Sequence, residues 1–166
     1  MSKFTIVGMM ALIAFAMGIV LVGDALAQQK TLEEQLVGTW KLVSHQSEID
    51  GKPNPMPAKP PRGYYIITPK AYVMFQTDGT RKYGASAADK AALWESMSAN
   101  AGSYRVEGNK LVTIPDVHSN ESMVGTPSAR YWEIKGGRLI LTEEPRPWSR
   151  DPSKKFSARR EYERID

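Results

Sequence analysis

The sequence predicts an all-β domain, an up-and-down barrel or a sandwich, behind an N-terminal export signal. Three observations lead there. Short runs rich in Val, Ile, Tyr, Phe and Trp recur along the chain, separated by turn-forming residues. Helix-forming residues are gathered into one segment around 86–99. Cysteine is absent from all 166 residues, so packing and hydrogen bonds alone hold the fold.

The chain opens with a positive start at Lys3 and an uncharged apolar run from Phe4 to Val22. Gly23-Asp24 follows, and then Ala25-Leu26-Ala27, the small-x-small pattern that a signal peptidase cleaves. The run is long enough to span a bilayer, which makes a membrane anchor the competing reading. The cleavage site directly behind it and the lack of a basic stop-transfer cluster favour cleavage after Ala27. Residues 1–27 are therefore read as a signal helix, 28–35 as a lead-in and 36–166 as the folded domain. The expected location is periplasmic or secreted, with no stable membrane span after cleavage.

The strands follow in order. Thr39–Gln46 alternates partly and ends near Asp50-Gly51, a strong turn signal. Gly63–Thr68 and Ala71–Thr77 flank Pro69-Lys70, the clearest hairpin in the chain. Ser103–Glu107 and Lys110–Pro115 flank Gly108-Asn109, and Arg130–Ile134 and Arg138–Thr142 flank Lys135-Gly136-Gly137. Phe156–Ile165 alternates polar and apolar residues and forms the last strand. Short turns between sequential strands are the mark of a barrel or a sandwich.

Two segments depart from this pattern. Ser86-Ala87-Ala88-Asp89 resembles a capping box and opens a run of good helix formers reaching toward Asn100. Leu93 and Met97, four apart, share a face. Prolines at 53, 55, 57, 60 and 61 make a stiff extended loop, because proline has no backbone donor and cannot serve an interior strand. Such a loop suits the rim of a pocket and equally a plain connector.

Composition narrows the function classes. No cysteine means no thiol nucleophile, no thiolate metal site and no thiol redox chemistry. The formal charge of +4 comes mainly from Arg146–Arg164, where basic residues alternate with acidic ones; this is a solvated face and not a nucleic-acid footprint. Phosphate-cradling glycine loops, dinucleotide fingerprints and serine-nucleophile motifs are absent from the sequence, and no cofactor is expected. Two histidines far apart, His45 and His118, argue against a zinc or haem site, with Asp116, His118 and Glu121 the remaining conceivable ligands, and no metal is expected.

Leu36-Val37-Gly38-Thr39-Trp40-Lys41-Leu42-Val43-Ser44 is similar to the opening of the lipocalin-like domain family of bacterial and fungal proteins. Pro61-Arg62-Gly63, Thr68-Pro69 with Tyr72, and Ala101-Gly102-Ser103-Tyr104-Arg105-Val106 extend the resemblance over nearly all of 36–165. The resemblance implies an antiparallel up-and-down barrel of about eight strands, with Gly38-x-Trp40 at the start of the first. It also implies that Trp40 packs at the closed end under an arginine from the last strand, a contact worth about 1–2 kcal/mol when partly desolvated. Strand alternation selects Arg160 for that role over Arg159, because Arg160 shares the less polar face with Ala158 and Tyr162.

Alternation also nominates the interior. With Trp40 inside, Leu42 and Ser44 follow it, and His45 faces out. Both faces of the 63–77 hairpin are apolar; Ile67 pairs with Tyr72 and Tyr65 with Met74, and the Tyr65–Met74 face is preferred inside. Later inward candidates are Tyr104 and Val106, Val112 and Ile114, Trp132, and Leu139 and Leu141. The expected ligand-contacting set is Tyr65, Met74, Tyr104, His118, Trp132 and Leu139, suited to a small, mainly apolar molecule. Asp116 and His118 fall on the inward side of their strand, and His118 is the candidate general acid–base. Three functions stay open: ligand binding, a barrel enzyme for cyclisation or isomerisation, and a filled-core structural or partner-binding envelope protein.

Overall fold

The structure, a computed structural model, describes residues 31–55, 59–148 and 151–166; the expected signal peptide and part of the proline-rich loop lie outside these residues. Residues 32–166 form one compact unit. A short helix α1 (Leu32–Leu36) leads into β1 (Gly38–Ile49). Then come β2 (Lys52–Pro53), β3 (Arg62–Ile67), β4 (Tyr72–Thr77), α2 (Ala87–Glu95), β5 (Met97–Glu107) and β6 (Lys110–His118). A 3-10 turn (Glu121–Met123), β7 (Ser128–Lys135), β8 (Arg138–Thr142), β9 (Arg146–Trp148) and β10 (Asp151–Arg164) complete the chain.

Eight of these strands, β1-β3-β4-β5-β6-β7-β8-β10, pair antiparallel in sequence order, and β10 returns to β1, closing the barrel. Among the described residues β2 pairs only with β1 and β9 only with β10, so both are spurs on the long β1–β10 pair. Closure leaves no free edge on the eight, which suits a domain without disulfides.

The turns explain the registers. Asp50 and Gly51 both have positive φ, 52° and 72°, the pattern of a tight primed turn, and they place Ile49 opposite Lys52. Gly136 and Gly137, at 59° and 75°, do the same between Lys135 and Arg138. In the β3–β4 hairpin Ile67 pairs with Tyr72 and Tyr65 with Met74, and the Tyr65–Met74 face is the inner one. Ser86 caps α2, its hydroxyl accepting from Asp89 N at 3.1 Å while Asp89 Oδ2 accepts from Ser86 N at 3.2 Å. The helix stops at Glu95, short of the expected reach, because Met97–Asn100 pair with Met74–Thr77 as strand.

Two β-bulges overturn part of the simple alternation. On β1 the register slips between Leu42 and Ser44, so Val43 is an extra residue. Beyond it Ser44 pairs with outward Glu161 and His45 with inward Arg160, the reverse of the expected assignment. On β6 the slip makes Asp116 the extra residue, opposite Ala101 and Gly102. The register pairs Val106 with Leu111 and Tyr104 with Thr113, so Leu111 and Thr113 face the interior in place of the expected Val112 and Ile114. A side chain at Gly102 would meet Ile114 O at 2.1 Å, so the bulge requires glycine there.

Below the cavity, packing closes one end of the barrel. Leu36, Trp40, Ile67, Leu111, Trp132 and Leu139 belong to one buried cluster there. Trp40 Nε1 donates to Leu36 O at 2.8 Å, tying β1 to α1. The cation over Trp40 is Arg164 and not Arg160: its guanidinium lies 4.3 Å from the ring centroid. Arg164 also donates to Val37 O and Gln35 O, each at 2.8 Å. The register decides this, since Trp40 stands opposite Arg164 and Arg160 stands opposite His45. Face parity was right and the position four residues off. Gly38, at φ +151°, sits against Arg164 Nη1, where a Cβ would lie 2.4 Å away.

Candidate functional site

Toward the other end the barrel is hollow. A cavity of about 630 Å³ lies above a floor made by Tyr65, Tyr72, Leu141 and Tyr162. That volume is within the usual range for small-molecule pockets. Tyr65 stacks on Tyr72, with centroids 5.7 Å apart, and meets Tyr162 edge-on at 6.0 Å. The three rings fix one another and give the cavity a rigid aromatic base.

Of the expected ligand-contacting residues, Tyr65, Met74 and His118 line this cavity. Tyr104, Trp132 and Leu139 do not. Trp132 and Leu139 are buried in the closed-end cluster, and Tyr104 packs against it with its hydroxyl donating to Thr68 O at 2.9 Å. All three have inward parity; they sit too far down the strands to reach the cavity. The β6 bulge brings His118 to the wall opposite Asn100 while leaving Asp116 exposed. His118 Nδ1 accepts from Asn120 N at 2.9 Å. Partial burial and then the nearby Arg130 charge lower its pKa from the ordinary histidine value.

The most pronounced feature is a charged cluster that residue type alone did not suggest. Arg130 of β7 and Arg160 of β10 converge on Glu143, just past β8. Glu143 Oε1 accepts from Arg160 Nη1 at 2.5 Å and from Arg130 Nε at 3.3 Å. Arg146 Nη2 reaches Glu143 Oε2 at 3.4 Å, and Arg130 Nη1 also donates to Thr113 Oγ1 at 3.3 Å. All four charged groups line the cavity. Burial alone would raise the Glu143 pKa; the Arg160 and Arg130 charges, with the Arg160 hydrogen bond, outweigh it and hold the carboxyl at about 2.

Two polar atoms beside the cluster lack partners among the described residues. The Tyr65 hydroxyl is buried without a hydrogen bond. Burial pushes its pKa well above the tyrosine range, with Arg130 opposing, so it is a neutral donor at physiological pH. His45 Nδ1 accepts from the Gln76 amide at 3.1 Å, which leaves the proton on Nε2, itself unpartnered. Burial first, then the Arg160 charge, bring His45 down to about 4. Among the described residues no group of three or more His, Asp or Glu side chains could hold a metal ion.

Alternation carried the signal for this cluster. The parity that puts Trp132 inside also puts Arg130 inside, and that of Leu139 and Leu141 continues to Glu143. Arg160 was expected on the inner face, though over Trp40; Arg130 and Glu143 stay invisible when inward positions are sought only among apolar residues.

The family model for the lipocalin-like domain matches residues 37–161. The chain belongs to the lipocalin-like domain family. The match spans β1 through most of β10, so the whole closed barrel carries it. Among solved structures, a mutant of the fluorescent protein UnaG is similar at 18% identity. That alignment covers 80% of this chain and 97% of that one, with a TM-score of 0.35. A search of the curated proteins returns no match.

Proposed function

We propose that this lipocalin-like barrel binds a small amphipathic molecule with an acidic head group in its cavity. The observation that carries the reading is the Arg130–Glu143–Arg160 cluster, a buried carboxylate between two half-buried guanidiniums, next to the unpartnered Tyr65 hydroxyl, on the wall of a 630 Å³ hollow. Two guanidiniums and a neutral hydroxyl form a donor set suited to a carboxylate. Met74, Leu141 and the tyrosine rings offer apolar surface to the rest of the molecule, at about 25 cal/mol per Å² buried. The mainly apolar ligand expected from residue type becomes an amphipathic one once the charged wall is taken into account. Export, supported by the sequence of residues 1–27, would place this binding in the periplasm or outside the cell.

Titration with the anionic fluorophore 8-anilinonaphthalene-1-sulfonate tests the reading. Saturable one-to-one binding is expected, and Met74→Trp, which fills the cavity, should weaken it about tenfold while unfolding stays cooperative. Binding that Met74→Trp leaves unchanged would put the dye, and the proposed site, elsewhere.

A further inference from the structure

We infer that Glu143 sets the charge of the ligand: the cavity prefers a head group with one negative charge over a neutral or doubly negative one. The inference rests on the ligand-binding reading above and adds a specificity rule to it.

The rule comes from the ions on the cavity wall, two half-buried arginines and a buried glutamate. The Arg130 and Arg160 side chains are 17% and 16% exposed, and Glu143 is 6% exposed. Two positive charges face one negative, leaving a single positive charge uncompensated among these largely enclosed groups. The other titratable groups nearby do not change that count. Arg146, 54% exposed, is screened by water. Glu144 is exposed and bonds Tyr131 and Lys110. His45 and His118 both have lowered pKa values and are neutral at pH 8. The buried tyrosines Tyr65 and Tyr162 are neutral as well, their pKa values raised by burial.

A buried charge without a partner is costly once water is displaced, and one opposite charge relieves that cost. A neutral head group would cover the uncompensated guanidinium and leave it unpaired. A doubly negative one would meet the guanidiniums but also crowd its second charge against Glu143, which has no proton to give up. A single carboxylate fits both conditions. The geometry allows it: Glu143 Oε1 takes one N–H from each arginine, leaving further guanidinium donors and the Tyr65 hydroxyl for the ligand.

The test uses three probes of one chain length, decanol, decanoate and decyl phosphate, titrated calorimetrically at pH 8, where the phosphate is mostly dianionic. The folded protein is compared with Glu143→Gln and Arg160→Gln, each checked by thermal unfolding. The wild type should bind decanoate about tenfold or more tightly than either other probe. Glu143→Gln leaves two uncompensated positive charges and should shift preference toward decyl phosphate by about tenfold. Arg160→Gln leaves none and should erase the advantage of decanoate over decanol, an independent readout should Glu143→Gln fail to fold. Equal binding of the three probes by the wild type, or a preference that neither folded variant moves, overturns the charge rule and leaves ligand binding standing. If no probe binds the folded wild type, the ligand-binding reading falls, and this inference with it.

Discussion

Arg164 covers the indole of Trp40 with its guanidinium 4.3 Å from the ring centroid, while donating to the carbonyls of Gln35 and Val37. One side chain thus ties the last strand to the first strand and to α1. Its position in the final turn of pairing means that closure of the barrel and sealing of its end are the same contact.

Replacing Arg164 should therefore destabilise the barrel. Arg164→Ala loses the cation over the indole and two hydrogen bonds to main-chain carbonyls, for a cost of about 2 kcal/mol. Arg164→Lys restores the charge without the planar fork and should recover less than half. Urea unfolding followed by tryptophan fluorescence measures both. Equal stability of wild type and Arg164→Ala would show that the contact contributes nothing.

Stability should fall with acid in two windows. The folded His45 pKa, about 4, lies below the unfolded value of 6.5, so the unfolded chain binds the extra proton first. Stability is complete above pH 6.5 and declines as the pH drops toward 4, by about 2 kcal/mol for a partly buried group. Glu143, at about 2 when folded against 4.5 when unfolded, adds a second loss as the pH falls from 4.5 toward 2. His45→Gln should shrink the first window to the part due to His118, whose pKa is also lowered, and leave the second. Unfolding free energies measured at pH 7.5, 5.5, 4 and 2.5 resolve the two; an unchanged slope between pH 7.5 and 4 in His45→Gln would rule out His45 as the source.

Gly102→Ala should cost more than an exposed glycine change. Its Cβ would overlap Ile114 O and sit 2.7 Å from Asp116 N, both backbone atoms that cannot turn aside. A loss of about 2–3 kcal/mol is expected, with a changed His118 imidazole environment as the bulge shifts. Thermal unfolding and histidine proton NMR read the two effects. Gly108→Ala is the comparison: nothing crowds its Cβ, so its cost comes from the positive φ alone.

The fold was largely legible in the sequence. Turn residues at Asp50-Gly51, Pro69-Lys70, Gly108-Asn109 and Gly136-Gly137 marked four hairpins but not the one between β9 and β10, and the Tyr65–Met74 pairing followed from loop length alone. Ser86 announced its capping box because such a box is local. The site was legible only by parity. Arg160 was placed on the inner face, but Arg130 and Glu143, at inward positions too, are of a kind ordinarily assigned to solvent, and no local rule says which charges will be gathered inside.

What the sequence determined by itself was the set of local choices: where most strands turn, where the helix capped by Ser86 begins, and which side chains share a face between bulges. Those depend on neighbours a few residues apart. The tertiary structure decided the rest. Barrel closure chose Arg164 over Arg160 for Trp40, because cross-strand register is a relation between residues more than a hundred positions apart. The bulges at Val43 and Asp116 turned His45 and His118 inward, since one extra residue reverses every face beyond it. The depth of each residue along the barrel axis separated the filled end, with Trp132 and Leu139, from the hollow one, where two arginines meet Glu143.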